Sequence, residues 1–436
     1  MTATQTQHPS AKPRILRRRG RYQLAALLLT MACVGGHPLH ALAMTELVLQ
    51  LDSSLRYDSN PLRFTQDADI QAALGVAKKS DAVLANDVRF AVVHPLDSPQ
   101  TRLLLTGQLG RRNYNQLTQL DNWEYAYKGA LEWRWGDLWK GEFAHAQEQL
   151  LYGYLDGSLT TREMYHRTTD NVEVALRATP ELDIPLAGRN RRVQYDSPVN
   201  WIFDSEERSV DLGVRFLSQT RSLVRGGVRS TEVQFPRRDA LAVANLDSGY
   251  RDNELYAEAD WQYSVFTRLG GRVSALNRKY DSLTTKNFSA LTTEFRAIYE
   301  HSPLTRLTLE YWSRPYGTTD RTTLYTLVTG AQLGVRWQAT PKTRVSALLT
   351  SEQQKYQYLA LDPGQANPQL HRVRWGGGVV YAISRDVRAY VDGFREHLDR
   401  GSLGAGISQN LLRVGIEYTY ENITGLAQRT GLGDRR

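Results

Sequence analysis

The chain has 436 residues, one cysteine, and 54 basic against 46 acidic side chains, a formal charge of +8. Its mean hydropathy of −0.47 excludes a polytopic helical membrane protein, which needs repeated spans of about 20 apolar residues. A lone cysteine excludes a disulfide framework and a cysteine-based zinc site, and the charge suggests nucleic acid only until its position is considered.

Six basic residues (Lys12, Arg14, Arg17, Arg18, Arg19, Arg21) precede an apolar run from Leu24 to Val34, and Ala41-Leu42-Ala43 follows. A positive start, a short apolar stretch and a small-x-small site predict a cleaved Sec-type signal peptide over residues 1–43, too short to span a bilayer. Cys33 lies inside it, behind Thr30-Met31-Ala32, a poor match to a lipoprotein cleavage box. Removing the six positive charges leaves +2 and no cysteine. The argument for nucleic acid goes with them.

From there on, the recurring signal is alternation with period two, the mark of half-buried strands. Trp123, Tyr125, Tyr127, Gly129, Leu131, Trp133 and Trp135 alternate with Glu124, Ala126, Lys128, Ala130, Glu132 and Arg134. The same split recurs from Leu255 to Tyr263 against Glu254, Glu258, Asp260 and Gln262, from Tyr325 to Trp337 against Gln332 and Arg336, and from Val373 to Ile383 opposite Arg372 and Arg374. Such segments run about 10 to 15 residues, against 5 or 6 in soluble sheets, and about 9 to 11 tilted residues cross a bilayer. Aromatics near their ends (Trp123, Trp133, Trp135, Trp139, Trp261, Tyr263, Trp337) fit interfacial girdles. Short connections (Gly136-Asp137, Ser302-Pro303, Arg385-Asp386) alternate with long ones (Ser59 to Asp81, Tyr152 to Met164, Phe235 to Tyr250, Tyr358 to Leu370). The pattern predicts an all-β, antiparallel, up-and-down transmembrane barrel over residues 44–420, of about 16 to 18 strands, with both ends in the periplasm. The best tally is 18; the least strand-like segments are Ile184 to Val193 and Val387 to Arg395. Closure would also remove every exposed strand edge.

Near the end, Arg413-Val414-Gly415-Ile416-Glu417-Tyr418-Thr419-Tyr420 has the polar-x-Gly-x-x-aromatic-x-aromatic form of a last-strand assembly signal. Gly415, Tyr418 and Tyr420 carry it, and the barrel-assembly machinery is the partner it implies. Residues 421–436 are expected to be a disordered periplasmic tail.

No catalytic constellation is legible. His94, His145, His166, His301, His371 and His397 show no metal-ligand spacing, and neither H-E-x-x-H, G-x-S-x-G nor a phosphate loop occurs. The expectation is no enzyme, metal or cofactor. The charged face offers Lys128, Glu132, Arg134, Arg215, Arg225, Arg229, Glu254, Glu258, Asp260, Arg268, Arg272, Glu294, Arg296, Arg336, Arg372 and Arg374 as lumen-lining candidates. Charge at a bilayer midplane costs roughly 2 to 4 kcal/mol per Arg or Lys, so these groups must line water or pair with one another. Either a lumen stiffened by cross-strand ion pairs or a mixed-charge corridor for a hydrophilic solute fits. Arg225, Arg229, Arg268 and Arg272 fall on two strands separated by one, which suggests a basic patch for acidic sugars.

Leu55-Arg56-Tyr57-Asp58-Ser59-Asn60-Pro61-Leu62-Arg63 resembles the opening Y-D-S-N-L-(F/Y)-R of EpsL-like proteins, outer-membrane β-barrels associated with exopolysaccharide biosynthesis. Tyr114-Asn115-Gln116-Leu117 with Leu120-Asp121-Asn122, and Tyr280-Asp281 to Phe288-Ser289-Ala290, are similar to that family too. Pro61 departs from its pattern. The resemblance implies polysaccharide export across the outer membrane of a Gram-negative bacterium, with outer-membrane lipid and periplasmic export machinery as partners. Two alternatives remain open: a general or solute-specific porin, which a long third loop folded inward would favour, and a structural or adhesion barrel without transport.

Overall fold

Alternating strands with one apolar and one charged face can either pack two sheets by their apolar faces or turn those faces outward to lipid. They can close into a ring. In the computed structural model, which describes residues 45–98, 100–152, 161–220, 222–316, 323–358, 369–401 and 404–430, they do so. The expected signal peptide, residues 1–43, lies outside the described residues.

The first six strands are β1 (Glu46–Asp58), β2 (Asp81–Ser98), β3 (Thr101–Tyr114), β4 (Asn122–Trp135), β5 (Trp139–Leu151) and β6 (Met164–Arg177). Then come β7 (Leu182–Tyr195), β8 (Ser205–Leu217), β9 (Leu223–Gln234), β10 (Gly249–Gln262), β11 (Thr267–Tyr280) and β12 (Phe288–Ser302). The last six are β13 (Thr305–Tyr316), β14 (Thr323–Gln338), β15 (Thr343–Tyr358), β16 (Gln369–Ala382), β17 (Val387–Asp399) and β18 (Ile407–Glu421). Each pairs antiparallel with its sequence neighbours, and β18 closes the ring on β1 from Val48↔Glu421 to Asp58↔Leu411. The 18-strand tally holds, and short turns alternate with long loops around the ring. The two least strand-like segments are the full strands β7 and β17. In β7, Pro185 lacks an N–H, and the ladder to β8 skips from Asp183 to Leu186 there.

The faces are inverted relative to a soluble protein. On β1, Val48, Gln50, Asp52 and Ser54 are buried, whereas Leu47, Leu51, Leu55 and Tyr57 are exposed. On β18, Glu417 and Thr419 are buried, and Leu412, Val414, Ile416, Tyr418 and Tyr420 are exposed. The register carries this parity around the ring, so one set of positions points inward throughout and the other faces out. An apolar outward belt is stable only against hydrocarbon. Trp135, Trp139, Trp261, Trp337 and Tyr420 ring its turn-side edge, and Trp123 and Tyr57 stand at the loop side. Eighteen strands about 4.8 Å apart, tilted about 40°, close into a cylinder of roughly 18 Å backbone radius.

The closing seam has its own clamp. Tyr390 on β17 lies across β18 at Gly415, and its hydroxyl donates to the Asp52 carboxylate on β1 at 3.0 Å. A Cβ at Gly415 would stand 2.4 Å from the Tyr390 oxygen and 2.8 Å from the Ser53 carbonyl, so only glycine lets that ring cross.

The expected disordered tail needs correction. Glu421 is the last ladder residue of β18, and its carboxylate accepts from the Gly425 and Ala427 N–H groups at 2.9 and 3.0 Å. A short helix (Leu426–Arg429) follows. Its Leu426 and Ala427 are buried against Val48 and Ala91, at inward-pointing positions of β1 and β2. Two apolar residues suffice to fold the segment back on the wall; residues 431–436 lie outside the described set.

Gly415→Val should displace Tyr390 and cut its bond to Asp52, costing about 3 kcal/mol from overpacking plus a lost charged hydrogen bond. Tyr390→Phe, which keeps the ring, should cost about 2 kcal/mol. Heat-modifiability on gels read against denaturant midpoints checks both; equal midpoints for Gly415→Val and wild type would refute the clamp.

Candidate functional site: the inner wall and its loop-side mouth

All the charged candidates fall on inward-pointing positions of the ladder, and most are neutralised at short range. Lys128 reaches Glu142 at 3.2 Å, Arg102 reaches Glu132 at 2.7 Å, and Arg268 grips Asp260 with Nη2 to Oδ2 at 2.6 Å. Arg134 is exposed near the β4–β5 turn, and Arg336 stands opposite Arg306 in the ladder.

The densest network lies on β8 to β11. Asp211, buried, accepts from Arg225 at 2.7 Å, Arg229 at 2.9 Å and the Tyr256 hydroxyl at 2.8 Å. The Tyr256 ring has Arg225, Arg229 and Arg272 around it at 5.6, 5.5 and 4.4 Å. Arg272 also meets Glu254 at 3.0 Å and Glu258 at 3.6 Å, and Arg229 meets Glu254 at 3.7 Å. The basic patch expected from Arg225, Arg229, Arg268 and Arg272 is therefore not present. Each of these arginines has a carboxylate partner, because β10 between the two arginine strands supplies Glu254, Glu258 and Asp260, and β8 on the other side of β9 supplies Asp211. Asp211 and Tyr256 escape sequence reasoning. Their one trace is Gly213 and Gly227, where a Cβ would come within 3.3 and 2.8 Å of the Tyr256 oxygen.

A second centre ties a loop to the wall. Glu396 on β17 contacts Arg63 of the β1–β2 loop and lies 3.9 Å from Arg372, which also meets Glu352 at 3.7 Å. Arg374 lays its guanidinium 3.7 Å from the Phe394 ring, and its Nε has no hydrogen-bond partner among the described residues. Arg63 sits at φ 60°, a conformation costly for a residue with a Cβ. Buried Asn60 holds it, donating to the Phe64 carbonyl at 2.7 Å and accepting from the Phe64 N–H at 2.9 Å. The β1–β2 loop also contributes Leu62, Phe64 and Ile70 to a small apolar core with Leu117 and Leu120 of the β3–β4 loop. The loop that reaches the wall is thus the first long one. Of the third, residues 153–160 lie outside the described residues.

The long loops are fastened by a repeated clip. At the ends of β3, β7 and β11, the N–H of Tyr114, Tyr195 and Tyr280 donates to Asp121, Asp204 and Asn287 at 2.7, 2.8 and 2.8 Å, each across a short 3-10 turn. A buried acid from the preceding long loop or strand start then binds the same turn. Asp81 accepts from Leu117 N–H at 2.8 Å, Glu163 from Ser197 N–H at 3.0 Å, and Asp247 from Leu283 N–H at 2.6 Å. The spacing is four strands, so alternate long loops are stapled to their neighbours. Burial works to raise the Asp247 carboxyl, but the N–H groups of Leu283, Ser282, Ser248 and Gly249 outweigh it and hold the group below the usual carboxylate range. Arg238 stitches the next pair of loops, donating to the carbonyls of Ile202, Leu246 and Asp247 at 3.0, 2.8 and 2.6 Å. Burial pushes its guanidinium down to about 10, still charged at neutral pH.

Among the described residues no cluster of His, Cys, Asp and Glu could hold a metal ion. No family model matches the chain, and no curated protein matches it in sequence. Solved structures similar in fold include OccAB3 of Acinetobacter baumannii, at 10% identity, covering 87% of this chain and 100% of that one with a TM-score of 0.48. The outer membrane protein opdK of Pseudomonas aeruginosa is similar at 9% identity, with 86% and 99% coverage and a TM-score of 0.48. The siderophore receptor PirA of the same organism gives 8%, 85%, 80% and 0.43. Such likeness carries no argument about solute, and none of it links the chain to the EpsL-like family or to exopolysaccharide.

Two outcomes are expected. Asp211→Ala strands Arg225 and Arg229 on a half-dry wall and should cost about 3 kcal/mol in denaturant unfolding; a change under about 0.5 kcal/mol would mean that the network is ornamental. For the loops, a carboxyl depressed by folding stabilises fully above its unfolded value near 4 and loses that contribution as pH falls through its lower folded value. Limited proteolysis of the β9–β10 and β11–β12 loops should therefore stay slow at neutral pH and accelerate only below about pH 4. Asp247→Ala should show the fast rate at neutral pH.

Proposed function

We propose that the chain is an outer-membrane channel through which small hydrophilic solutes diffuse. One observation carries the reading: an 18-strand closed ring with polar and charged groups inside and an apolar belt outside. Side chains fill a ring of about 8 strands, whereas 16 to 18 leave an aqueous passage. In this reading Lys128, Glu132, Arg134, Arg225, Arg229, Glu258, Asp260, Arg268, Arg272, Arg336, Arg372 and Arg374 line the water-filled path. Close pairing of most of these groups favours a weakly selective conduit over a strongly charged filter. Gly415, Tyr418 and Tyr420 would serve the barrel-assembly machinery, and a Sec-type signal peptide would deliver the chain to the periplasm.

A second reading, polysaccharide export, has one structural feature in its favour. Tyrosines gather at the loop-side mouth: Tyr195 lies 5.8 Å from Tyr152 and 6.2 Å from Tyr165. Aromatic faces with a polar rim suit sugar rings.

Planar-bilayer recording separates the readings. A diffusion channel should give stepwise conductance with weak ion selectivity, and Asp211→Asn should move the reversal potential toward anions by removing one fixed negative charge. Absence of steps from folded protein would refute the channel. If the second reading holds, deleting the gene should lower surface polysaccharide and raise the periplasmic pool; unchanged surface polymer would refute export.

A further inference from the structure

The outward belt is largely apolar; at mid-strand it carries the neutral pair Ser53 and Asn86, and on β5 and β6 the titratable groups His145 and Asp170. On β4, Trp123 stands at the loop side and Trp135 at the turn side, both exposed, with Gly129 midway between them. The ladder sets Gly129 opposite His145 of β5, and His145 opposite Asp170 of β6. His145 is six residues from the turn-side Trp139, about 15 Å along the membrane normal for a tilted strand, so the pair sits near the middle of the hydrocarbon. Elsewhere the outward positions include Leu51, Leu212, Phe295 and Leu333, all exposed and apolar.

At this depth His145 Nδ1 and Asp170 Oδ1 lie 2.7 Å apart, and both side chains are 49% exposed. The other ring nitrogen of His145 is 3.5 Å from the Tyr127 hydroxyl, which donates to Gln147 at 2.8 Å, and Gln147 in turn donates to the Tyr125 oxygen at 3.0 Å. The group beyond the histidine is a phenol already engaged with Gln147, not a serine, so the His–Asp pair does not assemble into a hydrolase triad. The bond to His145 uses one Asp170 oxygen and leaves the other for a partner, with Asn190 of β7, exposed, opposite Asp170 in the ladder. Phe143, Val172 and Leu186 flank the pair as exposed apolar groups, and at Gly188 the space where a Cβ would stand is open.

Acyl chains offer no hydrogen bonds at mid-depth, and water does not reach there. A titratable pair facing outward at that level, more costly to leave in hydrocarbon than a neutral one, calls for a protein surface in the same slab. We propose that the outer face of β4 to β7 around His145 and Asp170 is the contact between two copies of this chain, related by a two-fold axis along the membrane normal. Such an axis preserves depth and brings identical groups together at the same level. The patch holds both a ring nitrogen that can donate and a carboxylate that accepts, so it is complementary to itself. Gly129 and Gly188 leave room for the two walls to approach. The inference rests on the barrel spanning a membrane and is independent of what passes through it.

The test uses the full chain in native outer membranes, in a Cys33→Ser background. Phe143→Cys and Val172→Cys should cross-link to a band of two copies under a short bis-maleimide, and Leu333→Cys, on a distant strand, should not. His145→Leu combined with Asp170→Leu should lower the two-copy fraction by about tenfold or more while the folded, heat-modifiable monomer band persists. Failure of Phe143→Cys and Val172→Cys to cross-link, cross-linking only to a different protein, or equal quenching of fluorophores at 143 and 333 by brominated lipid would each overturn the proposal. Because cross-linking is read with His145 and Asp170 intact, the outcome does not depend on the double variant folding.

Discussion

Every backbone N–H and C=O in a lipid-embedded strand must find its partner within the protein, because hydrocarbon supplies none. The ring from β1 through β18 and back to β1 meets that demand, and the rest of the structure follows from it. Closure fixes the parity of the ladder, so a single inward or outward assignment holds for all strands. It also makes the β18–β1 seam the one pairing formed between the two ends of the chain. The seam is held by more than its ladder: Tyr390 from β17 reaches over Gly415 to Asp52, joining three consecutive strands with one side chain.

Parity forces charge inward, and the wall manages it by sharing carboxylates. Asp211 holds two arginines and a tyrosine, Asp183 takes Lys140 at 2.5 Å and Arg215 at 3.3 Å, and Glu396 serves Arg63 and Arg372. A carboxylate has about four lone-pair directions, so one acid can accept hydrogen bonds from several cations of a crowded wall at once. The same economy governs the mouth, where Asp247 binds the turn of the next loop with one oxygen and the N–H of Ser248 with the other. Loop order is thus coupled to wall order through shared acids. The β1–β2 loop is the clearest case, since its Arg63 enters the Glu396 centre directly.

The ring was legible because period-two alternation is a local signal and strand length is set by bilayer thickness. Trp123 to Trp135 shows both within one segment. The partners of each arginine were not legible, because they depend on register between strands and on which residues the intervening strand contributes. Arg225 and Arg272 look like a basic patch until β8 and β10 insert Asp211, Glu254 and Glu258 beside them. Tyr256 and Gly227 were invisible for the same reason: a large residue on one strand and a missing side chain on its neighbour acquire meaning only when superposed. The clip at Tyr114, Tyr195 and Tyr280 was present in the sequence as three similar Tyr-Asn/Asp pairs, yet the acids that complete it lie some 30 residues earlier. The order of residues 421–430 was not legible because two apolar residues, Leu426 and Ala427, look too few to fold without the pocket that Val48 and Ala91 provide.

One physical rule connects the wall with the anomaly on its outer face. Inside, pairing is enough wherever water reaches what an ion pair leaves unsatisfied; Arg268 and Asp260 remain partly exposed with no further need. Outside, at mid-depth, His145 and Asp170 satisfy the atoms between them and reach Tyr127 with the second ring nitrogen, but nothing in hydrocarbon completes the second carboxylate oxygen. The same 2.7 Å contact is therefore self-sufficient on one face of the sheet and incomplete on the other. Which face a polar pair occupies, more than its geometry, decides whether it is a brace or an invitation to a second molecule.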